Sequence, residues 1–346
     1  MALIDFKVLP GIDKQDTTSG AENRWVDCDN TRFRYGLPEK VGGWSSLVTD
    51  TIVGVARREF AFVDLDGNRY VAIGTDKFLL IYFEGQLYDI TPLKTTLTSA
   101  TLATTNTSAI CSITTGTNHN LSVGDIVLLD TVTLPVGTGY VDADFENKLF
   151  QVTSITSATV FTITQSTAAT ATVGTGGSLS VKPYEQVGPA EQSYGYGWGI
   201  DTWSSGKWGE AASASDVSLE PGLWSLSNFG QVLVSTIANG KTFTWNAGDA
   251  ARLTTRASTA TSGFETTNNP TATRITLVSP TTRHLIHLGT ETTIGDPTTQ
   301  DDMFIRFSDQ EDINDYVPTA INSAGSQRLQ DGTRIMGALK AKESIL

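Results

Sequence analysis

Short apolar runs along residues 52–91 are separated by polar segments, and each run ends at a turn signal. Turns are predicted at Asp66-Gly67, Gly74-Thr75-Asp76 and Glu84-Gly85-Gln86, because glycine and aspartate tolerate the backbone conformations of tight turns. Four antiparallel strands in a stretch of this length have the size of one β-propeller blade. The pattern therefore predicts a four-stranded meander.

The second half of the chain repeats this pattern. A second meander is predicted over residues 222–255, where Asn239-Gly240 is the strongest signal for a type I′ hairpin. A third follows over residues 274–308, and residues 309–332 are predicted to form a polar loop. Residues 333–346 are predicted to supply one or two strands of a fourth unit. We therefore expect an incomplete propeller, in a chain that is a fragment, whose last strand has an unfilled neighbour.

Residues 93–182 differ from both halves, since they are rich in Thr, Ser, Ala and Val and nearly without aromatic or basic residues. Their apolar positions recur with a period of two between Gly, Asn and Ser turns, which is typical of short strands. This pattern predicts a small inserted β-barrel or β-sandwich, with residues 165–178 as a loose tip. The regular Val, Ile and Phe alternation argues against a disordered linker.

The predicted fold class is all-β, with β-propeller-like meander blades, incomplete in this chain, and a small inserted β-barrel or sandwich domain. The predicted divisions are residues 1–92 for an N-terminal segment and the first blade, and residues 93–182 for the inserted barrel. Residues 183–346 are predicted to hold further blades and a long loop rich in aromatic residues and glycine.

Within the irregular N-terminal region, the run Thr31-Arg32-Phe33-Arg34-Tyr35 alternates strictly. On a strand, Arg32 and Arg34 face one side, and Phe33 and Tyr35 face the other. The two arginines are candidates for lining a path for DNA or for pairing with acidic groups of a neighbouring subunit. The alternative is an ordinary exposed strand face.

Residues 190–210 alternate glycine with tyrosine and tryptophan, too often for a regular strand. We predict a long ordered loop held by ring packing. Trp198, Trp203 and Trp208 are candidate interface or channel residues, because large rings of this kind pack in cores or at subunit contacts. Stacking on a sugar ligand is the alternative.

The composition agrees with an all-β chain. Threonine is abundant and packs well in sheets, and 32 glycines with 18% charged residues argue against helical bundles and Rossmann-type enzymes. The net charge of −13 argues against a basic nucleic-acid reader and against a protein that binds anionic membranes. No apolar stretch is long enough to span a membrane, and the N-terminus lacks the pattern of a signal peptide.

Candidate chemistry is sparse. His284 and His287 would point to opposite faces of a strand and could not share a metal ion. Cys28 and Cys111 lie far apart and are predicted to be buried or half-buried thiols. The carboxylates that a glycosidase would need crowd one predicted loop, where capping of turns is the simpler role: Asp301, Asp302, Asp309, Glu311, Asp312 and Asp315. We therefore predict no enzyme activity, no metal and no cofactor.

Three stretches resemble the tail nozzle family of short-tailed bacteriophages, also called tail hub or tail tubular protein B-like proteins: Pro10 to Trp44, Phe307 to Gly332 and Ile335 to Leu346. The family often has Trp-Ser-Asp and Asp-Trp where this chain has Phe307-Ser-Asp309 and Asp315-Tyr316, so an aromatic residue is kept. In the inserted module, His119 to Asp125 is similar to small β-barrels of phage tail proteins.

The resemblance implies a structural virion protein of the phage tail, assembled in the host cytoplasm as a six-fold ring of identical subunits. Such a ring continues the DNA-ejection channel below the portal and the tail adaptor and carries tail fibres. Genomic DNA passes through it without specific binding, and no membrane insertion is implied. The acidic chain is compatible with this role, because an acidic wall repels DNA phosphates.

Two other functions remain open at this point. A carbohydrate-binding β-propeller adhesin would use the aromatic loop at residues 194–208 as its ligand surface. A secreted hydrolase on a propeller would need a carboxylate pair, and the repeated turns typical of sialidase-like propellers do not occur in the sequence.

Overall fold

The structure is a computed structural model that describes residues 8–46, 48, 50–191, 220–258, 269–342 and 344–345. These residues form β-sheets with short 3-10 helices at Asp142–Asp144 and Pro297–Thr299, so the predicted all-β class is confirmed. No helix in the described part of the chain is long and apolar enough to cross a membrane. The chain divides into two compact units, Met1–Thr49 and Asp50–Leu346.

The N-terminal unit contains two small sheets. Strands β1 (Leu9–Ile12) and β2 (Arg24–Trp25) pair in parallel, and β3 (Thr31–Arg34) and β4 (Leu37–Lys40) form an antiparallel hairpin. The Trp25 and Phe33 rings contact each other with centroids 6.4 Å apart.

The first meander sheet follows the sequence prediction. It consists of β5 (Ala56–Val63), β6 (Arg69–Thr75), β7 (Leu79–Phe83) and β8 (Gln86–Asp89), paired in that order. Apolar residues on one face build an aromatic core, in which the Tyr70 ring lies 5.4 Å from Phe62 and 4.7 Å from Phe83.

A six-stranded closed barrel follows, with the strand order β10-β13-β12-β11-β14-β9. Of the two predicted alternatives, the barrel is therefore confirmed. Alternating side chains fill its interior, so that Ile113 is fully buried while the preceding Ser112 is half-buried. The strands are β9 (Leu97–Thr104), β10 (Ile110–Thr114), β11 (Ile126–Thr133), β12 (Lys148–Ser157), β13 (Val160–Thr164) and β14 (Val173–Pro183).

The prediction of a loose tip at residues 165–178 is partly wrong, because β14 already begins at Val173. Irregular pairing between β14 and β9 explains the unusual composition of this stretch. The register shifts on both sides of Gly176, and the neighbouring Gly177 has a positive φ of 71°. Such bulges bend a strand and help a sheet to close on itself.

The second meander sheet contains β15 (Trp224–Phe229), β16 (Val232–Ile237) and β17 (Thr242–Asn246). The turn occurs where Asn239-Gly240 predicts it, and Asn239 has a positive φ of 60°. It is longer than a two-residue turn, since the backbone bond from Ile237 N to Lys241 O spans three intervening residues.

The third meander sheet contains β18 (Thr273–Val278), β19 (Leu285–Thr290), β20 (Phe304–Phe307) and β21 (Gly325–Arg328). Strand β21 corrects the prediction of a continuous polar loop over residues 309–332. Its polar sequence shows no alternation, and it pairs with β20, where the Phe307 ring packs over Gly325. A Cβ atom at Gly325 would lie 2.5 Å from Phe307 Cζ.

The prediction of strands between residues 333 and 346 is wrong for the described part, where only an isolated bridge joins Lys340 and Ile345. This segment bonds to loops and side chains rather than to a strand edge. Ile335 N donates to Asp302 O (3.1 Å), and Lys340 Nζ donates to Ser227 Oγ (2.8 Å).

Strand β15 lies between the first and third meander sheets. Trp224 faces the first sheet, where its indole Nε1 donates to Thr75 O at 3.0 Å. Ser225 faces the third sheet, where its hydroxyl donates to Thr276 O at 2.8 Å and accepts from Thr276 N at 3.1 Å. The second meander sheet therefore contacts the first sheet through an aromatic ring. It contacts the third sheet through a hydroxyl group, which satisfies backbone N–H and C=O groups at the edge of that sheet.

The chain enters and leaves the barrel through two adjacent segments, which are joined by the bridge between Leu93 and Tyr184. The Tyr184 hydroxyl donates to Asp89 Oδ2 (2.7 Å) and accepts from Arg256 Nη2 (2.7 Å). Arg256 also forms an ion pair with Asp89 at 2.9 Å and donates to Thr91 O at 3.0 Å. These bonds fix the base of the barrel.

Candidate functional site

The candidate residues Arg32 and Arg34 lie on β3, on the exposed side of the N-terminal hairpin. Arg32 Nε lies 3.1 Å from Glu39 Oε2 on β4. The Arg34 guanidinium lies 5.4 Å from the centroid of the Tyr35 ring. An exposed ion pair of this kind contributes little to stability, so both guanidinium groups can be used to contact a partner.

Tyr35 is not on the strand, where the alternation predicts it beside Phe33. It forms the two-residue turn of the hairpin with Gly36, and both residues have a positive φ, of 51° and 82°. A type I′ turn requires this backbone at both positions and usually recruits Asn, Asp or Gly for it. The Tyr35 side chain is 91% exposed at the tip.

Trp198, Trp203 and Trp208 lie outside the described residues, as does most of the loop predicted at residues 190–210. The backbone on either side of this segment converges on Arg57 of β5. Its guanidinium donates to Gly222 O at 2.6 Å and to Pro189 O at 3.5 Å.

An open cleft of about 1320 Å³ lies in the larger unit, near the starts of β15 and β18. It is the candidate ligand site by geometry, because clefts at the junction of several elements are the usual places for ligands. Its lining includes Trp224, Asn239 and Gln300 and seven charged residues: Arg58, Glu220, Arg274, Asp301, Asp302, Arg328 and Arg334.

Most of these charges neutralise one another. Arg274 Nη2 lies 2.7 Å from Glu220 Oε2, and its Nη1 lies 3.8 Å from Asp302 Oδ1. Arg334 pairs with the same two carboxylates, with 3.6 Å from its Nε to Asp302 Oδ2. The four side chains connect the segment before β15, strand β18, the turn before β20 and the segment after β21. The cluster therefore holds these four segments together by ion pairs.

The pKa values of the two adjacent aspartates in the cleft are shifted in opposite directions. Burial raises the pKa of Asp302, and the nearby Glu220 and Asp301 carboxylates raise it further. The pKa of Asp301 is lowered, first by the hydrogen bond from Met303 N and then by Arg328, whose Nε lies 2.7 Å away. Separated pKa values occur in acid–base catalysis, but here the carboxylates are engaged by arginines.

Arg58 is the exception, because it forms no ion pair among the described residues. With four arginines against three carboxylates, the cleft is close to charge balance rather than acidic.

The expectation that six carboxylates crowd one loop is wrong. Asp301 and Asp302 lie in the cleft, whereas Asp309 belongs to a turn and accepts hydrogen bonds from Ser323 Oγ (2.6 Å) and Ser323 N (2.8 Å). These bonds lower the pKa of Asp309. The predicted capping of local turns occurs at Asp312 and Asp315, which accept hydrogen bonds from Asn314 N (2.8 Å) and Val317 N (3.1 Å).

The two histidines occupy different environments. His284 precedes β19 and contacts Ser308 O through Nδ1 at 2.8 Å. His287 is fully buried on β19, with Thr273 Oγ1 and Tyr316 Oη each 2.9 Å from its ring nitrogens. Burial lowers the pKa of His287 to about 3, and Arg306 lowers it as well.

No group of three or more His, Cys, Asp or Glu side chains that could hold a metal ion occurs within the described ranges. Both cysteines are free, with Cys28 half-buried and Cys111 buried, in agreement with the prediction from their spacing. Sequence reasoning missed Glu220, Arg274 and Arg334, because no local motif marks them and they meet only after folding.

Comparisons with known proteins are uninformative. No family model and no curated protein matches this chain. One solved structure that matches is the phage phi92 endosialidase, with a TM-score of 0.24 and 14% sequence identity. The alignment covers 78% of this chain but 37% of that protein. A similarity at this level supports no argument about function.

Proposed function

We propose that this protein is a structural virion protein of a bacteriophage tail, which assembles into a six-fold nozzle ring. In this role the ring continues the DNA-ejection channel below the portal and the adaptor and holds tail fibres. Support comes from the three resembling sequence stretches and from one structural observation, the apolar surface of the N-terminal unit.

The N-terminal unit is small and exposes several large apolar side chains, including Trp44, which is fully exposed. Two-stranded sheets of this size are marginally stable alone in water, and monomeric proteins rarely expose contiguous apolar patches. A subunit contact explains both properties. The exposed residues are Leu9, Ile12, Tyr35, Leu37, Val41 and Trp44.

The resembling stretch from Phe307 to Gly332 has a structural role in this chain. Tyr316, at the place where the family often has tryptophan, is fully buried and bonds to His287. Phe307 covers Gly325, and Asp309 holds Ser323. The residues that carry the resemblance thus stabilise the third meander sheet, which supports a shared fold rather than a shared ligand.

The proposed ring has no catalytic task. In the cleft, Glu220, Asp301 and Asp302 are paired with arginines and are poorly placed to act as free acids or bases. Six copies at −13 each carry −78, and this repulsion acts within about 8–10 Å of the surface at physiological salt. DNA would therefore slide past such a ring without being retained.

The oligomeric state tests the proposal. Mass photometry and negative-stain microscopy of the purified chain, alone and with portal–adaptor complexes, are expected to show six-fold rings. A chain that stays monomeric in both conditions contradicts the nozzle function. Binding to a glycan array that is lost in Trp203→Ala would instead support the carbohydrate-binding adhesin.

A further inference from the structure

The β3–β4 hairpin presents a strained tyrosine at its tip. Tyr35 has a φ of 51°, and a bulky residue in this left-handed region is uncommon and costs free energy that Asn or Gly would not. The ring is almost fully exposed and is therefore not held in this conformation by core packing. Strain of this kind is concentrated at functional positions.

The same hairpin is cationic. Between Thr31 and Lys40 it carries Arg32, Arg34 and Lys40 against Glu39, a net charge of +2. Leu37 is 70% exposed beside the tip. The hairpin therefore combines an apolar tip with positive charge, a combination that suits an acidic partner with apolar side chains of its own.

Such a surface exists on the loop at residues 309–323, which we call the acidic loop. It carries Asp309, Glu311, Asp312 and Asp315 and contains no Lys or Arg. Glu311 pairs with Arg283, 2.9 Å away, so the local charge is −3. After these carboxylates in the same loop, Val317 is exposed and Ile321 is 98% exposed.

The acidic loop is ordered before it meets any partner. Tyr316 and Ile313 anchor it in the core. Asn322 Nδ2 donates to Asp315 Oδ2 (2.7 Å) and to Val317 O (2.8 Å), and Thr319 N donates to Asn322 Oδ1 (2.7 Å). A preorganised loop loses little conformational entropy on binding, which favours a contact at its exposed apolar residues.

We propose that the β3–β4 hairpin of one copy of this chain docks on the acidic loop of a second copy. The ring of Tyr35 and the side chain of Leu37 lie against Val317 and Ile321 in this contact, and Arg34, which shares a hairpin face with Leu37, faces the carboxylates. This inference rests on the proposed function, since it names the contact that links neighbouring subunits of the ring.

The size of the contact fits a closed ring better than an isolated dimer. A stable dimer usually buries about 800 Å² on each partner, more than one hairpin tip can supply. In a ring, each subunit makes two such contacts, and the last one closes intramolecularly at a high effective concentration. Weak individual contacts are then sufficient.

Cross-linking between two separate chains tests the docking directly. One chain carries Tyr35→Cys and a second, longer tagged chain carries Ile321→Cys, both in a Cys28→Ser background. After mixing and oxidation with diamide, a heterodimeric disulfide is expected. The control pairs Tyr35→Cys with Val136→Cys, since Val136 on the barrel is equally exposed. Equal yields in both mixtures, or no disulfide in either, overturn the proposed contact.

A second variant separates this contact from the nozzle function. Tyr35→Asn suits the left-handed turn and is expected to keep or raise thermal stability. It should weaken self-association about tenfold or more, which corresponds to about 1.4 kcal/mol per contact. Intact rings of the variant at wild-type concentrations overturn the docking but leave the nozzle function standing. A wild-type chain that forms no rings, either alone or with portal–adaptor complexes, overturns both.

Discussion

At the scale of single residues, the interior of the third meander sheet contains polar groups that are bonded to one another. His287 lies between Thr273 and Tyr316, and the Thr273 hydroxyl also contacts Thr290 Oγ1 at 3.0 Å. Buried groups of this kind cost little when each has its partner and much when one partner is removed. The network therefore makes the packing of this sheet specific.

Because His287 is buried, the protein is expected to become less stable as the pH drops. Its pKa is about 3 in the folded chain and about 6.5 when unfolded, so the unfolded state alone binds a proton between these values. The free energy of unfolding should fall as the pH drops from about 6.5 towards 3, with about 2 kcal/mol lost by pH 5. Urea unfolding of wild type and His287→Gln at pH 7 and pH 5 measures this.

The comparison uses the pH dependence and not the absolute stability, since His287→Gln also changes the bonds to Thr273 and Tyr316. His284→Gln is the matched control, because its ring is only partly buried. If wild type and His287→Gln lose the same free energy between the two pH values, the histidine is not the cause.

At the scale of elements, strands with alternating apolar residues were predictable and strands without them were not. The strands of the first meander are alternating or continuous apolar runs that end at Gly or Asp turns, so local sequence was sufficient to place them. Strand β21 has the sequence Gly-Ser-Gln-Arg, so no local alternation marks it, and it pairs with β20, where Phe307 covers Gly325. Alternation alone extends β3 through Tyr35, whereas Gly36 favours a two-residue turn that also takes up Tyr35.

Contact between the first and second meander sheets depends on the absence of a side chain at Gly74. A Cβ atom there would lie 2.6 Å from Trp224 Cδ1. Gly74→Ala should therefore lower the free energy of unfolding by about 1–3 kcal/mol through overpacking. Denaturant unfolding measures the loss, with Gly116→Ala as the control, since nothing lies within 4 Å of a Cβ there. A similar effect of both substitutions would contradict the close packing.

The attachment of the barrel is expected to depend on Arg256. Arg256→Met removes the ion pair with Asp89 and the bond to Tyr184, and should cost about 2 kcal/mol. The chain crossings at the base of the barrel should become accessible to limited proteolysis. Lys241→Met is the control, because its ion pair with Glu185 is more exposed and should matter little. Unchanged proteolysis of Arg256→Met argues against this role.

At the scale of the whole molecule, the cleft was beyond the reach of sequence reasoning. Glu220 and Arg274 are 54 positions apart, and Arg334 follows much later, in a segment that was predicted to be strand. No spacing rule relates such residues, because their proximity depends on how separate sheets stack. The overall fold class needed only local alternation and composition, which explains why it was predictable.

The net charge leads to an expectation for the assembled protein. A ring with an excess of carboxylates should not retain duplex DNA, even at low salt where electrostatic attraction would be strongest. Gel-shift and filter-retention measurements at about 20 mM salt are expected to show no complex. Strong non-specific binding would show instead that basic groups line the passage, and it would refute the repulsive wall.

The bridge between Leu93 and Tyr184 has an evolutionary consequence. It places the chain segments that enter and leave the barrel side by side. The connection between the barrel and the meander sheets is therefore little wider than one pair of strands. Recombination at this point could remove, replace or duplicate the module with little change in loop entropy elsewhere. An exchange of the barrel at this point would therefore leave the strand pairing within the meander sheets unchanged.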